Sequence, residues 1–326
     1  MAHIYVYSPS TAVQDKAAFK RGVARIEALG HQVELDPTVL ARDMRFAGDD
    51  DTRIAAIARA AASGADVAMI ARGGYGLTRL LPRLPNKAIS NSGVRGTRWF
   101  GLSDFTALQL ALMAKTGLGE HSVTWAGPCV CEDFLAADNE PLDEITQACF
   151  ADVLGDLAEG AGWALPKRDN KTAFDVLSKK RATKSVNPET SGQFHVKNAV
   201  LWGGNLTVMT SLLGTPYIPQ VKGGVLFLED VGEHPYKIER MLASLLHAGV
   251  LAQQKAIVMG QFSRITPLVN DRGFKLQTVV EWLRTRVKCP VITGLPMGHV
   301  PTKLSLPVGR KSDLVVQDQE ALVVWG

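Results

Sequence analysis

The sequence predicts an α/β protein, and three observations carry that reading. Short apolar runs of strand length alternate with stretches of helical period through the first half of the chain. Glycines or capping residues stand where those stretches stop or start. After a polar interruption the same alternation resumes and then gives way to closely spaced strands. Strands alternating with helices imply a parallel sheet with helices on both faces.

The elements follow in order. Ile4–Tyr7 forms a buried strand, and a helix over Thr11–Leu29 places Phe19, Val23, Ile26 and Leu29 near one face, with Ser10 or Thr11 as cap and Gly30 as stop. Asp49, Asp50 and Asp51 open a second helix through Ile54, Ile57 and Ala61 to Gly64, since acidic residues favour a helix N-terminus. Asp66–Ala71 and Trp99–Leu102 are the next strands, and Asp104–Thr116 is a helix stopped by Gly117. From about Gly160 to Lys197 the chain turns polar and lysine-rich, which predicts a solvated link with a short hairpin rather than a site for an anionic partner. Beyond it AVLW, GVLFLE, AIVMGQF and PVITGL are strands, and Ile238, Met241, Leu242, Leu245, Leu246 and Val250 line one face of a helix. The tail, KLSLPVGRKSDLVVQDQEALVVW, predicts β-hairpins. The domains are accordingly drawn as 1–165 and 166–326, which suits 326 residues at roughly 100–200 per domain.

Composition removes several functional classes. With 46% hydrophobic residues the chain is too apolar to be disordered. A net charge of +4 with no long Lys/Arg run predicts no nucleic-acid partner. No apolar run reaches the ~18 residues of a membrane-spanning helix. The opening MAHIYVYSPS lacks the basic start of a signal peptide, so the expected location is the cytoplasm. Four cysteines do not make a disulfide framework, and Cys129 and Cys131, spaced C-x-C without a second pair, read as buried thiols rather than a metal site. No H-E-x-x-H occurs, so no metal is called for. Lys115-Thr116-Gly117 spells KTG, but no S-x-x-K accompanies it and its glycine ends a helix.

Two segments have the form of a catalytic site. In Gly101-Leu102-Ser103-Asp104-Phe105 a strand runs into Ser103 and a helix follows, which exposes a hydroxyl beside the free N–H groups of the first turn. Ser103 is then either a nucleophile or the helix N-cap, and Phe105 stands where a nucleophile elbow has glycine. In Ala71-Arg72-Gly73-Gly74-Tyr75-Gly76 the glycines permit either a tight turn or close approach to an anion, with Arg72 adjacent as a carboxylate contact or a structural ion pair. Among seven histidines, His299 lies in the loop Pro296-Met297-Gly298-His299 after a strand, whereas His234 precedes Pro235 and marks a helix start. Glu229, at the carboxyl end of a strand, is placed to orient an imidazole, with Asp230 and Glu233 as alternatives.

Five blocks, ARGGYGLTRLLPRL, FGLSDFTALQLAL, LWGGNLTVMTSLLGTPYIP, LFLEDVGEHPYKIERML and PVITGLPMGHVPTKLSLPVG, together resemble the LD-carboxypeptidase family. RFAGDDDTR fits the murein-recycling branch of that family. The resemblance implies a Ser–Glu–His peptidase acting on a murein tetrapeptide without a cofactor, and it assigns the nucleophile to Ser103, the relay carboxylate to Glu229 and the base to His299. It places the oxyanion-hole amides at Asp104 and Gly74. It further implies a Rossmann-like first domain, a second domain bearing Glu and His so that both contribute to the site, and a homodimer. A microcin-immunity peptidase of the same family, an α/β-hydrolase-type esterase and a two-lobed ligand-binding protein are the other readings.

Overall fold

The computed structural model describes residues 1–134, 142–166 and 193–325. The chain forms two compact units, Met1–Ala158 with Gly214–Pro219 and Pro301–Gly309, and Glu159–Leu213 with Gln220–Val300 and Arg310–Gly326. Two short segments beyond the expected boundary at 165 thus cluster with the first unit.

In the first unit the order is β1 (His3–Tyr7), α1 (Lys16–Ala28), β2 (Gln32–Leu35), α2 (Asp50–Ala62), β3 (Val67–Ile70), α3 (Leu77–Leu80), α4 (Asn86–Val94), β4 (Arg98–Gly101), α5 (Thr106–Thr116), β5 (Thr124–Ala126), α6 (Val130–Asp133) and α7 (Glu144–Leu154). Strands β1 to β5 are parallel in the order β5-β4-β3-β1-β2. This is a doubly wound order whose direction of winding reverses between β1 and β3, the place where such sheets bind ligands at their carboxyl ends. Strand β3 is buried throughout, as its unbroken VAMI predicts.

Helix α1 starts later than its apolar spacing suggests. Its cap is Asp15, whose Oδ1 accepts from Ala17 N and Ala18 N at 2.9 Å, and not Ser10 or Thr11. Asp49 caps α2 through Thr52 N at 2.7 Å. Buried Asp36, just after β2, accepts from Tyr5 Oη at 2.7 Å, from Thr38 N at 2.8 Å and from Arg59 Nε and Nη2 at 2.8 and 2.9 Å. Those contacts join β1, β2 and α2. Burial opposes its charge, but the Arg59, Thr38 and Tyr5 donors outweigh burial and hold the carboxyl below its usual range.

The second unit holds β6 (Gly160–Ala164), β7 (Gln193–Asn205), α8 (Leu206–Ser211), β8 (Val225–Val231), α9 (Pro235–His247), β9 (Ala256–Ser263), α10 (Leu276–Arg286) and β10 (Val291–Ile292). The chain then gives β11 (Leu306–Val308), β12 (Lys311–Gln317) and β13 (Glu320–Val324). The sheet order is β10-β9-β8-β7-β12-β13-β6, parallel from β7 to β10 and antiparallel across β7, β12, β13 and β6. The polar link is therefore flanked by sheet strands, and its residues 167–192 lie outside the described residues. The tail contains one hairpin, β12–β13. Strand β11 departs from that expectation, pairing antiparallel with β5 in the first unit, Leu306 opposite Ala126. The fold is α/β, with a parallel sheet that gains one antiparallel edge and a mixed sheet that carries the hairpin.

Candidate active site

Ser103 lies two residues beyond the end of β4 and has φ 65°. A left-handed backbone is costly for a serine and persists only where the surroundings enforce it, as at a strand-to-helix turn that projects a side chain. The N-cap positions fall on Leu102, before a single 3-10 turn, and on Phe105, before α5, and neither end is capped by a side chain. Ser103 thus caps neither end.

The glycine loop after β3 packs on this turn. A Cβ on Gly73 would lie 2.9 Å from Ser103 Cβ and 3.3 Å from Ser103 Oγ. Gly74 has φ 106°, and a Cβ there would strike Thr11 Oγ1. Among the described residues neither Gly73 N–H nor Gly74 N–H has a hydrogen-bond acceptor, so two open donors stand in the loop beside the serine. The rest of the loop is fastened. Tyr75 N donates to Thr11 Oγ1 at 2.9 Å, and Thr11 Oγ1 donates to Tyr75 O at 3.2 Å. Gly76 O accepts from Arg53 Nη1 at 3.0 Å, and Leu77 N donates to Asp104 Oδ2 at 2.9 Å.

Asp104 is buried, and its Oδ2 also accepts from Ser10 Oγ at 2.7 Å. Burial pushes its carboxyl above the usual carboxylate range, against the Leu77 and Ser10 donors and the nearby Arg53 and Arg45 charges. Arg53 itself is fully buried, donates to Pro9 O at 3.2 Å, pairs with Asp50 and lies 4.7 Å from the centre of the Phe46 ring. RFAGDDDTR therefore lies around the loop, a role that its sequence does not disclose. Arg72 Nε is buried and has no hydrogen-bond partner among the described residues. Burial pushes the Cys131 thiol up to about 12 and Cys129 well above its usual value, so both are protonated thiols.

In the second unit Glu229 is fully buried, and its Oε2 lies 3.0 Å from His299 Nδ1. The strand does not end at Glu229. It runs on to Val231, with a register shift against β9 between Leu228 and Asp230. Such an irregularity re-aims the side chain it carries. Gly260 and Gly298 flank the pair, and a Cβ on either would come within 3.4 Å of Glu229 Cβ. Gln261 N donates to Met297 O at 2.8 Å and Ser263 Oγ to His299 O at 2.9 Å, which fixes the histidine loop on β9. Glu229 Oε1 is buried without a partner among the described residues, which is uncommon for a buried polar atom.

The alternatives are occupied elsewhere. Asp230 accepts from Asn205 Nδ2 at 3.1 Å, Thr207 N at 2.9 Å, Thr207 Oγ1 at 2.7 Å and Val231 N at 2.8 Å. Glu233 pairs with Lys237 at 3.3 Å. His234 takes the N-cap position of α9 and stacks on Tyr236. The structure thus groups Ser103, Gly73, Gly74 and Asp104 in one unit, and Glu229 and His299 in the other.

The description "LD-carboxypeptidase N-terminal domain" matches residues 4–122, and "LD-carboxypeptidase C-terminal domain" matches residues 198–314. The chain is 28% identical over 302 residues to the probable murein peptide carboxypeptidase of Bacillus subtilis, covering 92% of this chain and 85% of that protein. It is 29% identical over 247 residues to the microcin C7 self-immunity protein of Escherichia coli, covering 73% and 68% respectively. Among crystal structures, the muramoyltetrapeptide carboxypeptidase from Oxalobacter formigenes superposes with TM-score 0.79 at 31% identity, covering 98% of this chain and 97% of that one. The chain belongs to the LD-carboxypeptidase family.

Proposed function

We propose that this carboxypeptidase hydrolyses the amide between an L-configured centre and the terminal D-Ala of murein tetrapeptides, in cytoplasmic recycling of the cell wall and as a homodimer. The observation that carries the reading is Ser103, held at positive φ against a loop with two open N–H donors. Ser103 Oγ attacks the scissile carbonyl carbon, and its proton passes to His299 Nε2. Glu229, hydrogen-bonded at Nδ1, orients the ring and stabilises the imidazolium. Asp104 N–H and Gly74 N–H receive the oxyanion. When the tetrahedral intermediate collapses, the C–N bond breaks and His299 returns the proton to the departing D-Ala amine. His299 Nε2 then takes a proton from water as the water oxygen attacks the acyl carbon, and returns it to Ser103 Oγ as the ester C–O bond breaks. Arg72, with its unpartnered Nε, contacts the terminal carboxylate of the substrate.

Incubation with a disaccharide-tetrapeptide, followed by mass spectrometry, tests the proposal. Loss of one alanine with the native chain and none with Ser103→Ala is expected, and His234→Ala retains activity. A Ser103→Ala protein that still releases D-Ala at the native rate refutes the nucleophile assignment. A second reading, a peptidase of the microcin-immunity kind, is favoured by the similarity to the Escherichia coli self-immunity protein. Cleavage of an aminoacyl-nucleotide amide in place of the tetrapeptide would select it.

A further inference from the structure

We propose that the Asp104 carboxylate is a positioning residue that sets the spacing of the two oxyanion donors. The inference rests on the Ser103 reading above and extends it from the Asp104 amide to the Asp104 side chain. Three ties fasten the glycine loop downstream of its open N–H groups: Thr11 at Tyr75, Arg53 at Gly76 O and Asp104 at Leu77 N. Thr11 and Arg53 belong to segments remote in sequence from the nucleophile turn. Asp104 alone is covalently joined to Ser103, so its carboxylate couples the turn to the loop within one residue. Its amide stands on one side of the developing oxyanion, and its Oδ2 holds the segment that supplies the other donor.

The carboxylate is fixed in turn. Ser10 Oγ donates to the same Oδ2 at 2.7 Å, which links the segment after β1 to the segments after β3 and β4. All three follow neighbouring strands at the sheet's winding reversal. A buried carboxylate is costly to keep unless its bonds are needed, and at 1% exposure Asp104 makes no use of water. A merely structural aspartate would give stability and leave the donors unaffected. A positioning aspartate governs the transition state, because the oxyanion exists only there.

The test compares Asp104→Ala, Asp104→Asn and Ser103→Ala on the tetrapeptide, with thermal melting of each. Asp104→Ala is expected to lower kcat about 100-fold with KM changed less than about 3-fold, in line with the loss of a single oxyanion contact. Asp104→Asn keeps an acceptor oxygen for Leu77 N and Ser10 Oγ and recovers kcat to within about 10-fold of native, since a neutral acceptor makes the weaker bond. Hydrogen exchange at the Leu77 amide is faster in both variants. If Asp104→Ala does not fold, Asp104→Asn decides: native kcat together with native Leu77 exchange overturns the proposal. A folded Asp104→Ala at native kcat also overturns it, provided Ser103→Ala is inactive. An active Ser103→Ala instead overturns the nucleophile reading on which the proposal stands.

Discussion

Gly73→Ala isolates the packing of the loop on the nucleophile turn. Gly73 is not among the positive-φ glycines, so alanine meets no backbone penalty there and the effect is one of contact alone. The added methyl would stand 2.9 Å from Ser103 Cβ and 3.0 Å from Leu102 O. Ordinary carbon contacts begin near 3.5–4.0 Å, so the turn must withdraw by roughly 0.6–1 Å. Leu102 O already accepts a 3.3 Å bond from Phe105 N, which leaves little slack for the movement. Overpacking of this kind costs about 1–3 kcal/mol. At about 2–4 °C per kcal/mol for units of this size, Tm falls by roughly 2–12 °C. A displacement near 1 Å at the attacking atom costs about 100-fold in rate. Gly30→Ala is the control: its φ of 88° strains alanine, yet nothing lies within 4 Å of the new methyl. It should cost about 1–2 kcal/mol and leave kcat unchanged. Steady-state kinetics on the tetrapeptide and differential scanning calorimetry measure both. A folded Gly73→Ala protein with kcat within about 2-fold of native would refute the reasoning, because the geometry leaves no room for an unmoved serine.

Three further outcomes follow from the structure. Glu229→Gln should reduce kcat by about 10⁴-fold with little change in KM, because the amide cannot stabilise the imidazolium; kinetics within 10-fold of native would remove Glu229 from the relay. Lys303→Met strands Asp133, with which Lys303 forms a buried pair, and should destabilise the first unit by about 3–5 kcal/mol, while addition of Asp133→Asn recovers part of the loss; denaturant titration reads both. Asp36 has a depressed folded pKa, so its stabilisation is fully present above the usual carboxylate value near 4 and disappears as pH falls through the lower folded value. Asp36→Asn should therefore flatten the acid limb of a Tm-versus-pH curve, and an unchanged limb would rule this out.

The strand–Ser–helix order located Ser103 because an apolar run, a hydroxyl and a helix start are all local signals. What decides between nucleophile and cap is not local. The φ of 65° and the intervening 3-10 turn remove the cap, and the nucleophile stands as a proposal. The start of α1 went astray for a related reason: Ser10 and Thr11 look like caps, but Asp104 and Tyr75, 94 and 64 residues away, take their hydroxyls. Strand β2 escapes periodicity because QVEL lies at the sheet edge and is largely exposed. Strand β6 escapes because its glycines and alanines carry little apolar signal and its partner, β13, lies at the far end of the chain. His299 and Glu229 were found as residues in suggestive frames, whereas the register shift that accompanies Glu229 depends on β9 and has no signature in LFLED.

Both proposed catalytic segments carry a buried aspartate immediately after the residue of interest, Asp104 after Ser103 and Asp230 after Glu229. Burial pushes both carboxyls up, Asp104 and Asp230 alike, while backbone N–H donors pull them down. The arrangement has a common physical reason. Ser103 leaves regular backbone by a left-handed turn and Glu229 by a register shift, and the aspartate after each meets a helix start whose first N–H groups lack intrahelical acceptors, Leu77 N opening α3 and Thr207 N in the first turn of α8. A short carboxylate one residue away can accept from several donors at once without reaching far, and Leu77 N, Thr207 N and Val231 N are so satisfied. Asparagine in its place offers a weaker, uncharged bond. The desolvation of each aspartate accompanies an irregular backbone that its hydrogen bonds hold in place.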